Sequence, residues 1–294
     1  MRQVVILSGK GGTGKTTVVA ALADLASQDA TIVLADADVD AANLELVLSP
    51  TKAEQHEFTV SKVAYIDRDL CTGCGRCAEV CRFDAILHEN DTYRVDPIAC
   101  EGCASCFYQC PEQAIEMQET TSGLWFRSDT RFGALFHAHL YAGQENSGKL
   151  VTTVRQQANL WGTDHAADYA IVDGPPGIGC PVIAACAGAH LALLVVEPTV
   201  SGIHDLERIL ATTQHFRVPA AAVINKYDIN VAQADVIAAF CASHDIPLLG
   251  RLPFDTVVTE AMVQGQPVTA ASDGEISQKL REVWQALREI LDNE

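Results

Sequence analysis

The residues of this chain best spaced to do chemistry start at Ser8. Ser8-Gly9-Lys10-Gly11-Gly12-Thr13-Gly14-Lys15-Thr16-Thr17 follows the apolar run Val4-Val5-Ile6-Leu7 and precedes the helical pattern Val18–Ala26. Strand, glycine loop, Gly-Lys-Thr and helix form a phosphate-binding loop in the context that identifies one. Glycines let successive backbone N–H groups curl around phosphate oxygens. The helix N-terminus adds unpaired donors and a favourable dipole. Gly11, Gly12, Thr13, Gly14 and Thr17 are expected to line the phosphates of a bound nucleotide. Lys15 is expected to reach the β- and γ-phosphates, and the Thr16 hydroxyl to ligate Mg²⁺.

A second concentration of chemistry is cysteine. Eight of the eleven cysteines fall in two runs, Cys71-x-x-Cys74-x-x-Cys77-x-x-x-Cys81 and Cys100-x-x-Cys103-x-x-Cys106-x-x-x-Cys110-Pro111. Each run has the spacing of a bacterial two-cluster ferredoxin, in which the fourth cysteine ligates the other [4Fe-4S] cluster. One cluster is thus expected on Cys71, Cys74, Cys77 and Cys110, the other on Cys100, Cys103, Cys106 and Cys81. The segment repeats internally: Ile66-Asp67 and Val95-Asp96 precede the runs, and Asp84-Ala85-Ile86 and Gln113-Ala114-Ile115 follow them. Arg82 stands where a proline is usual, which alters a turn and not a ligand. Zinc is the alternative metal, but four-thiolate zinc sites usually use two separated Cys-x-x-Cys pairs.

The phosphate loop carries an additional lysine, Lys10, in Gly-Lys-Gly-Gly-Thr-Gly-Lys-Thr. This pattern resembles the deviant Walker A loop of the MinD/Mrp/ParA ATPases and the nitrogenase iron protein. The resemblance implies an ATP-bound homodimer, with Lys10 reaching the partner's nucleotide. It maps Asp36-Ala37-Asp38-Val39-Asp40-Ala41-Ala42-Asn43 to switch I, with Asp38 activating water, Asp36 supporting Mg²⁺, and weaker roles for Asp40 and Asn43. Read without the resemblance, these carboxylates end a buried strand beside a phosphate loop, where open α/β sheets bind ligands; a solvated turn is the alternative. The resemblance makes Tyr169–Asp173 the Walker B strand, Asp173 a Mg²⁺ ligand through water, and the Gly177 N–H a γ-phosphate sensor. Asn225 matches the residue that hydrogen-bonds adenine. Cys180 occupies a place similar to a cluster-ligating cysteine of the nitrogenase iron protein; a small semi-buried thiol is the other reading.

The rest of the chain has to position these groups. Buried strands with ligand-edge loops are expected in Thr31–Asp36, Leu191–Thr199, Ala220–Asp228 and Pro247–Asp255, alternating with helical patterns. This predicts an α/β fold with a doubly wound, mostly parallel sheet; the resemblance implies that it is of MinD-like P-loop type, and the cysteine repeat that it carries an inserted α+β ferredoxin-like domain. The expected domains are 1–60 and 121–294 for the ATPase and 61–120 for the insert. Residues 49–62 read as a linker. His137 and His139, two apart, share one strand face; a packed or solvated pair is the reading adopted, with a ligand or proton relay as the alternative. Ser201 is assigned to cap a helix running through His215. Cys186 and Cys241 read as core.

The chain has 294 residues, a net charge of −18, 48% hydrophobic and 20% charged residues. Such acidity argues against nucleic acid as a partner, which needs a basic footprint. It suits a redox or metalloprotein partner with a basic docking face. With a strand expected almost at the first residue, no signal peptide is expected, and cysteine runs in such a nucleotide-binding chain point to metal and a reducing cytoplasm. The last helix sets Lys279, Arg281 and Arg288 against Glu282, Glu289, Asp292 and Glu294. A membrane-surface helix wants a basic polar face, so core packing is expected instead. The function expected is ATP hydrolysis coupled to electron transfer or metallocluster handling; a positioning or redox-sensing interaction protein is the alternative.

Overall fold

The computed structural model describes residues 1–141 and 147–293; Glu294, counted above in the charge of the last helix, lies outside the described residues. The chain divides into two compact units. The first holds Met1–Gln55, Trp125–His139 and Ser147–Glu294, and the second His56–Leu124 and Leu140–Asn146.

The first unit is built on a parallel sheet. Its strands are β1 (Arg2–Ser8), β2 (Ile32–Asp36), β7 (Gly133–Leu140), β8 (Tyr169–Pro176), β9 (Leu191–Val196), β10 (Ala220–Asn225) and β11 (Leu248–Leu252). They lie in the order β11-β10-β9-β1-β8-β2-β7, and every neighbouring pair is parallel. The sheet continues through β6 (Ile115–Asp129) to β3 (Thr51–Ile66), strands that carry the chain from one unit into the other. Long apolar runs such as Val4–Leu7 and Leu191–Val196 are buried throughout, as strands covered on both faces must be.

Helices α1 (Lys15–Ala26), α5 (Ser147–Asp164), α6 (Cys180–Cys186), α7 (Val200–His215), α8 (Val231–Ser243) and α9 (Thr256–Val263) form the crossovers and connections. The short α2 (Leu44–Leu48) and α10 (Val268–Ala271) and the long α11 (Glu275–Asn293) complete the first unit. Helix α11 buries Ile276, Leu280, Val283, Trp284, Leu287 and Leu291 in the same core as α1, so its apolar face is spent on packing. Among the described residues, no helix is long and apolar enough to cross a membrane. Cys186 and Cys241 are fully buried, and burial pushes each thiol up to about 11, which keeps them inert.

Two local expectations are corrected. Residues 49–62 are not a linker, because Thr51 opens β3. This strand ends the sheet order, so one of its edges is unpaired and polar residues are tolerated there. Side chains hold it: Arg127 Nε donates to Glu54 Oε1 at 2.7 Å, and the Lys52 ammonium lies 4.0 Å over the Phe126 ring. Ser201 does not cap α7; Thr199 does, its hydroxyl accepting from Gly202 N at 3.1 Å.

Buried Arg155 was not foreseen. It projects from α5 and donates to the Ala184 and Ala187 carbonyls, satisfying the C-terminal end of α6. Arg155→Ala strips those carbonyls of their donor and opens a hole. It is expected to cost about 2–4 kcal/mol, read as a lower urea midpoint.

In the second unit, α3 (Arg76–Glu79), α4 (Ser105–Gln109) and the antiparallel hairpin of β4 (Ile86–Glu89) and β5 (Thr92–Val95) surround a small core of Ala64, Ile66, Cys77, Ile86, Cys106 and Ile115. The sequence repeat becomes a reciprocal exchange. Asp67 N donates to Ala114 O at 2.8 Å, and Asp96 N to Ala85 O at 2.7 Å. Asp84 and Gln113, at matching places, share a left-handed φ of 52°.

Candidate functional site

Strands β1, β8 and β2 lie side by side, so Ser8, Asp173 and Asp36 arrive at one sheet edge. Asp36 pairs in register with Asp173, and Ser8 with Pro176. The loop 9–14 turns there into α1. Gly14 adopts φ +88°, and a Cβ on it would meet the Asn225 amide nitrogen at 2.2 Å, so only glycine fits.

Lys15 and Thr16 point back to β8. Lys15 Nζ lies 3.2 Å from Asp173 Oδ1 and 3.9 Å from Asp38 Oδ2, while the Thr16 hydroxyl donates to Asp173 Oδ2 at 2.7 Å. Asp36 is fully buried and accepts the N–H groups of Asp38 at 3.1 Å and Leu44 at 3.0 Å, closing residues 37–43 over itself. Burial pushes Asp36 well above the usual carboxylate range, and the adjacent Asp173 charge adds to that. Burial also raises Asp38; Lys15 opposes the shift, and Asp173 and Asp40 reinforce it. Asp40 and Asn43 are exposed at the mouth of the same cavity.

This cavity brings together Gly11 to Thr17, Asp38 and Asn225. The Thr13 hydroxyl is buried beside it with no hydrogen-bond partner among the described residues. Asn225 donates to the Thr13 carbonyl at 2.7 Å and accepts from Lys226 N at 3.0 Å. Its amide thus braces the loop on one side of the cavity. The Gly177 N–H donates to Ser8 O at 2.9 Å, so it is already committed within the chain. Lys10 lies apart from Lys15: its ammonium donates to Thr199 Oγ1 at 3.2 Å and sits 3.4 Å from Glu197 Oε2. Glu197 also holds Lys226 Nζ at 2.6 Å, and Lys226 reaches Gly12 O at 3.3 Å. This Lys10–Glu197–Lys226 network was missed from sequence. Its only signal was a charged residue at the end of each of two buried strands. Cys180 opens α6 and is exposed.

The second unit sorts its eight cysteines into two fours. Cys71, Cys74, Cys77 and Cys110 line one small cavity, and Cys81, Cys100, Cys103 and Cys106 line another. In each, three ligand candidates come from one run and the fourth from the other. The helices α3 and α4 begin after left-handed Gly75 and Ala104, which turn the chain around the thiols.

The CobQ/CobB/MinD/ParA nucleotide binding domain family matches residues 4–268. An uncharacterized protein of Methanocaldococcus jannaschii is 33% identical over 289 residues, 98% of this chain and 97% of the relative. A putative septum site-determining protein MinD of Chlorella vulgaris is 25% identical over 279 residues, 91% of this chain and 77% of the relative. Among solved structures, MinD of Pyrococcus horikoshii complexed with Mg-ADP superposes with a TM-score of 0.62 at 18% identity, covering 98% of this chain and 96% of that one. The parallel sheet, the glycine loop at its edge and the reach of the match give one conclusion: this chain belongs to the CobQ/CobB/MinD/ParA nucleotide-binding family of P-loop ATPases and has a MinD-like fold.

Proposed function

We propose that the chain hydrolyses ATP as a nucleotide-dependent homodimer and couples this to electron transfer or metallocluster handling through two [4Fe-4S] clusters. The observation that carries the reading is the four-and-four partition of cysteines in a chain that also holds a P-loop. Four thiols around each of two similar cavities suit two cubanes, and the crossed ligand order follows the ferredoxin rule. Residues 61–120 would then be a ferredoxin-like insert, entered along β3, which follows α2. When bound, such clusters accept and release single electrons.

In the nucleotide site Lys15 and the loop N–H groups would hold the phosphates, with Thr13 gaining a partner for its hydroxyl. Mg²⁺ would sit with Thr16 and Asp173, near Asp36. A divalent cation there would relieve the like-charge repulsion between these two carboxylates. The Mg-ADP complex of the Pyrococcus horikoshii relative supports that choice. Asp38 would orient the attacking water, its carboxyl raised above its ordinary value by burial. Gly177 would leave the Ser8 carbonyl to meet the γ-phosphate, and return after hydrolysis. Lys10 would exchange Glu197 and Thr199 for the partner's nucleotide. Light scattering tests this: ATP is expected to double the mass of the wild-type chain and leave Lys10→Ala monomeric. A wild type that stays monomeric at saturating ATP would overturn the dimer.

A further inference from the structure

Away from both sites, the first unit gathers a carboxylate and two imidazoles. Glu45 lies on α2, and His137 and His139 lie two residues apart on β7, so both rings leave the same face of the strand. The carboxylate is forked between them: His137 Nδ1 is 3.3 Å from Glu45 Oε2, and His139 Nε2 is 3.3 Å from Glu45 Oε1. One donor atom from each residue lies within 4.8 Å of the other two.

His137 carries the argument. It is fully buried, and its Nδ1 has no hydrogen-bond partner among the described residues despite facing the carboxylate. The opposite ring nitrogen, Nε2, is 2.9 Å from the buried Ser128 hydroxyl. If Nε2–H donates to Ser128, Nδ1 turns a lone pair toward the Glu45 oxygens. Two lone-pair bearers at that distance, one of them the fully buried Nδ1, repel unless a cation or a proton lies between them. Phe126 fixes the rings from the side, stacked on His137 at 5.1 Å and edge-on to His139 at 5.7 Å between centroids.

We propose that Glu45, His137 and His139 bind a divalent first-row transition-metal ion. Two imidazoles and one carboxylate form the donor set that suits such ions, and hard O₆ cations such as Mg²⁺ or Ca²⁺ do not choose it. The spacing suits it as well. Metal–ligand bonds of about 2.0 Å at tetrahedral angles set neighbouring donors about 3.3 Å apart. Ser128 is the outer-shell partner that fixes the ring of His137, as metal-bound histidines require. Three protein ligands leave a further position for water, and half-exposed His139 leaves the site open to solvent on that side.

Ligation would have a structural consequence. It would pin α2 to β7 through a coordinate bond. The same helix is tied to Asp36 through Leu44 N, and its Leu46 and Val47 line the nucleotide cavity. The metal site itself does not depend on the proposed ATPase or clusters.

Zinc is the probe, titrated as Zn²⁺ into the full chain with its cysteine sites loaded anaerobically so that thiols do not compete. Bound zinc is counted by mass spectrometry against a chromophoric chelator, and its ligands are read by X-ray absorption at the zinc edge. The expected result is one zinc per chain with a nitrogen and oxygen shell at about 2.0–2.2 Å. Glu45→Gln and His139→Ala, both at partly exposed positions, are expected to weaken binding about 10²-fold or more. Ser128→Ala is expected to weaken it about 10–100-fold. Wild-type and variant far-UV spectra are compared so that a misfolded variant is not scored. Absence of tight zinc in the wild type would overturn the proposal. So would equal zinc in wild type and both folded ligand variants, or a shell of sulfur alone.

Discussion

Lys15→Ala is expected to lower ATP turnover about 10²–10³-fold, the usual loss when a preorganised donor to a transferring phosphoryl group is removed. The side chain is well placed for that: it is buried at the sheet edge and points at the carboxylates of Asp173 and Asp38. The substitution carries a second cost. Asp173 is 1% exposed, so removing Lys15 leaves a buried carboxylate with, among the described residues, only the Thr16 hydroxyl. Breaking such a buried pair costs up to about 3–5 kcal/mol. Stability and turnover must therefore be measured apart. Lys15→Met keeps most of the packing volume and removes the charge. Turnover falling in both variants, with folded protein confirmed by denaturation, separates catalysis from collapse. Turnover within threefold of wild type in a folded Lys15→Met chain would remove Lys15 from the phosphate site.

The second large effect is expected at the cysteines, and the crossed ligand order gives it a distinctive form. Cys81→Ser lies in the first run but lines the cavity of Cys100, Cys103 and Cys106. Cys110→Ser lies in the second run but lines the cavity of Cys71, Cys74 and Cys77. Each single variant should lose one cluster, taking iron from about eight to about four atoms per chain. Each should also abolish the spin coupling between two reduced clusters seen by EPR. The paired variant Cys81→Ser with Cys100→Ser should retain about four irons, because both changes fall on one cavity. Cys81→Ser with Cys71→Ser should retain none. Cys180→Ser should change neither iron nor spectrum. An uncrossed arrangement would reverse the two paired results.

Much of the nucleotide site was legible because it is local. Gly11 to Thr17 lie within one turn of chain, and Asp36 and Asp173 each end an apolar run. A parallel sheet brings such strand ends to one edge without further information. The cysteine runs were legible for the same reason, since each sets three thiols around one corner. What stayed hidden depends on distant chain segments. Glu45 sits in the apolar stretch Leu44-Glu45-Leu46-Val47-Leu48. Nothing there announces two histidines beyond the cysteine segment; only the pairing of β2 with β7 brings them near. The linker reading of 49–62 failed because an edge strand can be polar on both faces, which erases the alternation that marks a strand. Arg155 was hidden in a helical pattern, its role set by the carbonyls of a different helix. Ser201 was misassigned by two residues, within the usual uncertainty of a helix start.

In the proposed function the nucleotide site and the cysteine-lined unit work together. This is tested most directly by measuring ATP hydrolysis on the same anaerobically reconstituted sample with its clusters oxidised and then reduced, following cluster state by EPR. The rate or the dimer fraction is expected to differ between the two states, and the difference to disappear in Cys81→Ser with Cys71→Ser. Identical turnover and dimerisation in both redox states would contradict it. The cysteine-lined unit would then serve as a docking or structural element, and the chain would act as a nucleotide-dependent positioning protein.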